Sequence, residues 1–136
     1  MATETSVLTG YRDHWARRFP PSNYPSANAT AFRSMNTTDI TDTTPQLIKA
    51  APAAGRRLYI KQILISNKTS AERPLLTIQD GTGGSPDKLA AFTVTTLHNF
   101  TFDPPLKLEA AKPIYGVAHA ALGDVVVTVF GWEDDA

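Results

Sequence analysis

The chain has 136 residues, no cysteine and a formal net charge of +0 from 13 basic and 13 acidic residues. That length fits one domain, and the lack of cysteine excludes disulfides and thiolate metal sites. The even charge argues against nucleic acid as a main ligand, because such ligands select a net-basic face.

The opening MATETSVLTG lacks a basic segment followed by an apolar run, so no secretory leader is expected. No apolar stretch reaches the roughly 18–20 residues of a membrane span, so no membrane partner is expected either. Character changes near residue 45. Residues 1–45 carry Pro20, Pro21, Pro25 and Pro45 among Ser, Asn, Thr and Ala, with few aliphatic residues after Leu8. We assign 1–45 to an extended N-terminal arm and 46–136 to a β-module.

Within the arm, residues 7–19 are the helix candidate. Val7, Tyr11, Trp15 and Phe19 recur at four-residue spacing, with Leu8 three before Tyr11, which gives one apolar stripe. Arg12, Arg17 and Arg18 lie off that stripe. Thr9 suits a cap and Pro20-Pro21 a stop, while Gly10 and the short length make the helix marginal by itself. Residues 20–45 show neither period. Phe32, Met35 and Ile40 are isolated apolar anchors in a polar ribbon. An arm of this composition buries too little apolar surface to offset its ordering entropy, and aromatic anchors dominate interfaces. Tyr11, Trp15, Phe19, Phe32, Met35 and Ile40 are therefore the candidate partner-binding residues.

From residue 46 the pattern is β. The expected strands are Gln46–Ala50, Leu58–Ser66, Leu75–Gln79, Lys88–Thr95, His98–Phe102, Leu106–Leu108, Ile114–His119 and Val125–Trp132. Pro104-Pro105 separates the fifth from the sixth. In the second, Leu58 and Ile60 share one face and Ile63 and Ile65 the other, so the apolar face switches near Gln62. That predicts a bulge or a strand buried on both sides. In the last, Val125, Val127 and Val129 fill one face, and Val126, Phe130 and Trp132 the other. One face meets the core, and the second asks for cover by the arm or another subunit, unless the whole strand is internal.

Eight short strands at roughly 8–12-residue spacing, with no helix between them, indicate an all-β fold. The expectation is an eight-stranded jelly-roll β-sandwich preceded by the extended arm with its possible short helix. An immunoglobulin-like sandwich is the main rival.

No cluster for chemistry stands out. His14, His98 and His119 form no HxH or HExxH pattern, so no metal site is expected. Asp80, Asp87, Asp103 and Asp124 sit at turns, where Asp bonds nearby backbone N–H groups. Asp80-Gly81-Thr82-Gly83-Gly84 is followed by no helix and reads as a loop tip rather than a phosphate cradle. No Gly-x-Ser-x-Gly elbow occurs. The four Asn-x-Thr sequons read as products of a Thr-rich chain with Asn at turns. Arg56-Arg57 and Glu133-Asp134-Asp135 are opposite charges able to pair across a subunit contact, or solvated ends. No cofactor and no enzymatic activity are expected.

The run GRRLYIKQILISNKTSAERPLLTIQDGTGG, then LAAFTV, FTFDPPLKLEAAKPIYGV and DVVVTVFGWED resembles small structural proteins of tailed bacteriophages. There, a strand ending in "isN" leads to one ending in "DG", then to an "F-x-x-P-L-x-L" strand and a closing "V-x-V-x-G". The resemblance covers residues 54–134 and is strongest to jelly-roll capsid cement, or decoration, proteins. It implies a non-enzymatic bacteriophage virion protein on the outer surface of the capsid that bridges neighbouring major capsid protein subunits. A homodimer is the expected self-association. The alternative is a receptor- or glycan-binding β-sandwich of a phage tail, for which Tyr59, Tyr115 and Trp132 are the aromatic candidates.

Overall fold

The computed structural model describes residues 25–68, 75–94, 96–120 and 124–136. Eight strands run through them: β1 (Thr30–Met35), β2 (Gln46–Lys49), β3 (Arg56–Asn67), β4 (Leu75–Gln79), β5 (Lys88–Thr93), β6 (Leu97–Lys107), β7 (Ile114–Ala118) and β8 (Val125–Asp135). They make two four-stranded sheets, ordered β1-β8-β3-β6 and β2-β7-β4-β5. Every pairing is antiparallel, and the pairs are nested: β1 with β8, β2 with β7, β3 with β6, β4 with β5. Pairs β3–β8 and β4–β7 complete the sheets. Such nesting is one long antiparallel hairpin wrapped on itself, which is jelly-roll connectivity. The described residues form an all-β, eight-stranded sandwich, as the sequence indicates.

The identity of the eight strands differs from expectation in two places. First, β1 lies inside the segment assigned to the arm, so the sandwich begins at Thr30 rather than Gln46. TAFRSM is short and half-polar because it is an edge strand with one neighbour, β8. Its inward Ser34 hydroxyl donates to the Ile48 carbonyl of the second sheet at 2.6 Å. Beyond it, Ile40 and Val125 exchange both backbone hydrogen bonds, at 2.9 and 3.2 Å. Asn36 is buried among them. Its amide donates to the Thr38 and Val125 carbonyls, and its carbonyl accepts from the Val127 N–H.

Second, the strands expected on either side of Pro104-Pro105 are one element, β6. Ile60 pairs with Leu106 and Gln62 with Thr101, so residues 102–105, which include the cis Asp103–Pro104 peptide, arch away opposite Lys61. The Lys61 ammonium donates to the Phe102 carbonyl at 3.2 Å across the arch.

The face switch near Gln62 is a β-bulge at Lys61, seen also against β8, where Ile60 faces Gly131 and Gln62 faces Phe130. The extra residue restores the phase, so Leu58, Ile60, Ile63 and Ile65 all reach the core. Gly131 sits where the bulge crosses: an added Cβ would lie 1.8 Å from the Tyr59 carbonyl oxygen, so only glycine fits there. Between the sheets, these residues meet Ile40, Val125, Val127 and Val129 from one side and Ile48, Leu76, Ile78 and Ile114 from the other.

Candidate interaction surface

Directly opposed residues of an antiparallel pair share a face. Val125, Val127 and Val129 point inward and are fully buried, so Val126, Thr128, Phe130, Trp132 and Asp134 lie on the outer face of the first sheet. Their partners on β3 include Arg57, Tyr59, Gln62 and Leu64, and on β1 Ala31, Arg33 and Met35. Tyr59 and Trp132 stack with centroids 5.3 Å apart and an interplanar angle of 15°. Tyr59 is 3% exposed although it lies outside the core cluster. Burial pushes its hydroxyl pKa up, Arg57 opposes that shift and Asp134 adds to it. Two buried donors on this face, Arg57 Nε and Trp132 Nε1, have no acceptor among the described residues. Met35 and Leu97 are large apolar residues exposed on the two edge strands.

A polar clasp fixes where residues N-terminal to β1 reach this face. The Ala29 N–H bonds to the Ser26 carbonyl and turns the chain back toward β8. Ser26 then donates to Asp134 twice, from its backbone N–H to Oδ2 at 2.8 Å and from its hydroxyl to Oδ1 at 2.5 Å. These bonds hold the Asp134 carboxyl below the usual carboxylate range. Asn28 Nδ2 donates to Asp135 Oδ2 at 2.8 Å. Arg56 gathers the ends: Nε to Glu133 Oε1 at 3.2 Å, Nη1 to Asp135 Oδ1 at 3.0 Å, and Nη2 to the carbonyls of Asn28 and Glu133. The Arg56 charges noted in the sequence therefore pair within the chain.

The candidate partner-binding residues are not brought together. Tyr11, Trp15 and Phe19 lie outside the described residues. Phe32 is half-buried against the core with the Lys49 ammonium 5.3 Å from its ring centroid. Met35 is 49% exposed on the outer face. Ile40 is 0% exposed in its own core, so it is a packing residue and not a partner contact. Its flanking Thr and Asp residues disguise that role, since a single bridge carries no periodicity. The outer-face cluster was half legible in the apolar second face of β8. Its partner, Tyr59, was not, because the bulge at Lys61 sets which side of β3 it occupies.

Other features read as structural. His119 Nε2 and Thr77 Oγ1 are 2.7 Å apart. The His98 ring stacks on Phe100 and its Nε2 lies 2.9 Å from the Thr93 carbonyl. Asp80 accepts from the Asp87 N–H at 2.8 Å, the turn bond expected of it. Asn36 and Asn67, two of the sequon asparagines, are buried. Among the described residues no group of three or more His, Asp or Glu is placed to hold a metal ion. An open cleft of about 240 Å³ lies over the loop after β4, lined by Asp80, Gly81, Gly83, Gly84, Ser85, Pro86 and Lys112.

No family model matches the chain, and no curated protein matches it. Among solved structures, the virus-like particle of the extra small virus of the giant freshwater prawn Macrobrachium rosenbergii is similar over 86% of this chain and 87% of that chain, at 7% identity and a TM-score of 0.40. A family 32 carbohydrate-binding module from C. perfringens NanJ, determined in complex with galactose, is similar over 76% of this chain and 94% of that chain, at 17% identity and a TM-score of 0.37. At these values neither likeness carries a function; the fold assignment rests on strand order and register.

Proposed function

We propose that the chain is a non-enzymatic structural protein of a bacteriophage virion, seated on the outer surface of the capsid, where it cements neighbouring major capsid protein subunits. The observation that carries this reading is where the phage-like sequence elements fall. Asn67, of "isN", is the buried end of β3, and Asp80-Gly81, of "DG", closes β4. The run Phe102–Leu108 spans the arch of β6. Val127, Val129 and Gly131 form the inward line of β8, with Gly131 in the position that admits no side chain. All four elements build the jelly roll, which is what a cementing scaffold requires.

Homodimerisation belongs to the same proposal. Strands β1 and β6 of one sheet, and β2 and β5 of the other, each have one neighbour, and two-fold pairing is the commonest way for copies to associate. A dimer across two capsid subunits would act as a bivalent clamp.

The tail-module alternative gains nothing from the geometry. Tyr59 and Trp132 stack on each other, and the cleft over the β4–β5 loop has no aromatic residue in its lining. The test is reconstruction of particles that contain the chain. The expected result is sandwich density outside the shell, spanning boundaries between capsid subunits. Density in the tail, or particles lacking the chain, would sink the proposal.

A further inference from the structure

Of the four edge strands, β6 is the one suited to meet a copy of itself. We propose that two chains pair antiparallel along residues 97–101 of β6, about a two-fold axis that passes between the two Asn99 residues. The inference deepens the homodimer part of the reading above and rests on it. What it adds is the edge, the register and the contacts.

Three observations lead there. The first is the supply of backbone groups. The Asn67 N–H bonds to the Thr96 carbonyl at 2.9 Å, and opposed pairs of an antiparallel ladder alternate between bonded and non-bonded. In the register of β3 against β6, His98 and Phe100 therefore bond to Ile65 and Ile63, while Leu97, Asn99 and Thr101 turn their N–H and C=O groups out of the sheet. Among the described residues no second strand neighbours β6 on that side. With Asn99 opposite its own copy, Leu97 faces Thr101 of the other chain, and all three outward residues gain bonded partners. The same register sets His98 opposite Phe100 across the axis. It extends a ring stack that already has a centroid spacing of 5.6 Å within one chain.

The second is charge. The other edges each carry a cation, Arg33 on β1, Lys49 on β2 and Lys88 on β5, and two-fold pairing there brings like cations into one small interface. Residues 89–102, LAAFTVTTLHNFTF, hold no Asp, Glu, Lys or Arg. Charged side chains keep edge strands apart, and this stretch has none. A neutral edge is complementary to itself.

The third is apolar surface. Leu97 is 61% exposed and Phe100 39%, on the outer and inner faces of one strand. Phe100 packs on Phe92 with centroids 4.6 Å apart, so its ring is held in place before a partner arrives. Pairing covers both residues in both copies. The arch at Pro104-Pro105 ends the run, since proline has no N–H to donate.

The test uses the full chain, which has no cysteine, so one introduced thiol reports one site. Asn99 is exposed on the outer face, where substitution disturbs the core least. Bonded antiparallel pairs hold their Cα atoms about 5.5 Å apart, within disulfide reach. Under mild oxidation at micromolar concentration, Asn99→Cys should convert mostly to a covalent dimer, while Arg33→Cys and Lys88→Cys stay largely single. In sedimentation the wild type should run as a dimer. Asn99→Lys sets two cations across the axis and should weaken that dimer about tenfold or more, with the far-UV strand signature unchanged. If it fails to fold, Asn99→Asp is read the same way. Mixing the two variants should restore a dimer with one chain of each. Faster linkage at Arg33→Cys or Lys88→Cys, or a dimer indifferent to charge at Asn99, would overturn the β6 edge and leave the homodimer standing. A wild-type monomer at high micromolar concentration would overturn both. The seat on the capsid is tested apart from these, by the particle reconstruction.

Discussion

The two sheets share one core but differ on their outer faces. On the second sheet the polar groups are matched: Thr77 meets His119, and Gln79 donates to the Gly81 carbonyl at 2.7 Å. Its exposed apolar residues, Leu47 and Leu75, sit on different strands, and isolated exposed leucines are ordinary. On the first sheet, rings cluster along β8 and β3, and two buried donors lack partners. The second face is finished against water. The first keeps two buried donors unmatched among the described residues, beside the stacked Tyr59 and Trp132 rings.

The sharpest way to break the first sheet is Gly131→Ala. Its Cβ would strike the Tyr59 backbone carbonyl, which cannot move without opening the β3–β8 seam. We expect a loss of about 4 kcal/mol, or failure to fold, read by urea denaturation. Ile40→Ala comes next, at about 3 kcal/mol, because it removes a fully buried side chain. A value near zero would show that residues 36–40 are not part of the sandwich. The second-sheet counterpart of the glycine test, Gly116→Ala, should be milder, at about 1–2 kcal/mol. Its Cβ meets the tip of the Ile40 side chain at 2.6 Å, and a side-chain tip can turn away.

The smallest expected effect is at the clasp. Ser26→Ala should cost about 1 kcal/mol near neutral pH. Ser26 lowers the Asp134 pKa, so its contribution is present above the unfolded value, 3.8, and is lost as pH falls through the lowered folded value. The stability gap between wild type and Ser26→Ala should therefore be full above about pH 5 and close in acid. A gap that widens in acid would contradict the assignment.

Most of the sandwich was legible because Ile, Leu and Val alternate strongly from residue 46 onward, and the bulge at Lys61 shows as a break in that alternation. β1 was hidden. An edge strand buries one side weakly, so TAFRSM reads as ribbon, and Pro25 with its Ser and Asn neighbours strengthens that impression. β6 was split in two because Pro104-Pro105 looks like an ending, whereas the strand arches around them and resumes pairing at Leu106. The interaction surface was the least legible. Tyr59 and Trp132 meet only through the register of β3 against β8, which local patterning does not encode.

Hydroxyl-radical footprinting of the intact wild-type chain compares the two faces in one experiment. After correction for intrinsic reactivity, Tyr59 should be protected, since it is 3% exposed, while Tyr115, half-buried on the outer face of the second sheet, should be oxidised more readily. Oxidation of Tyr59 as fast as Tyr115 would contradict the packing of Tyr59 against Trp132 on the first sheet.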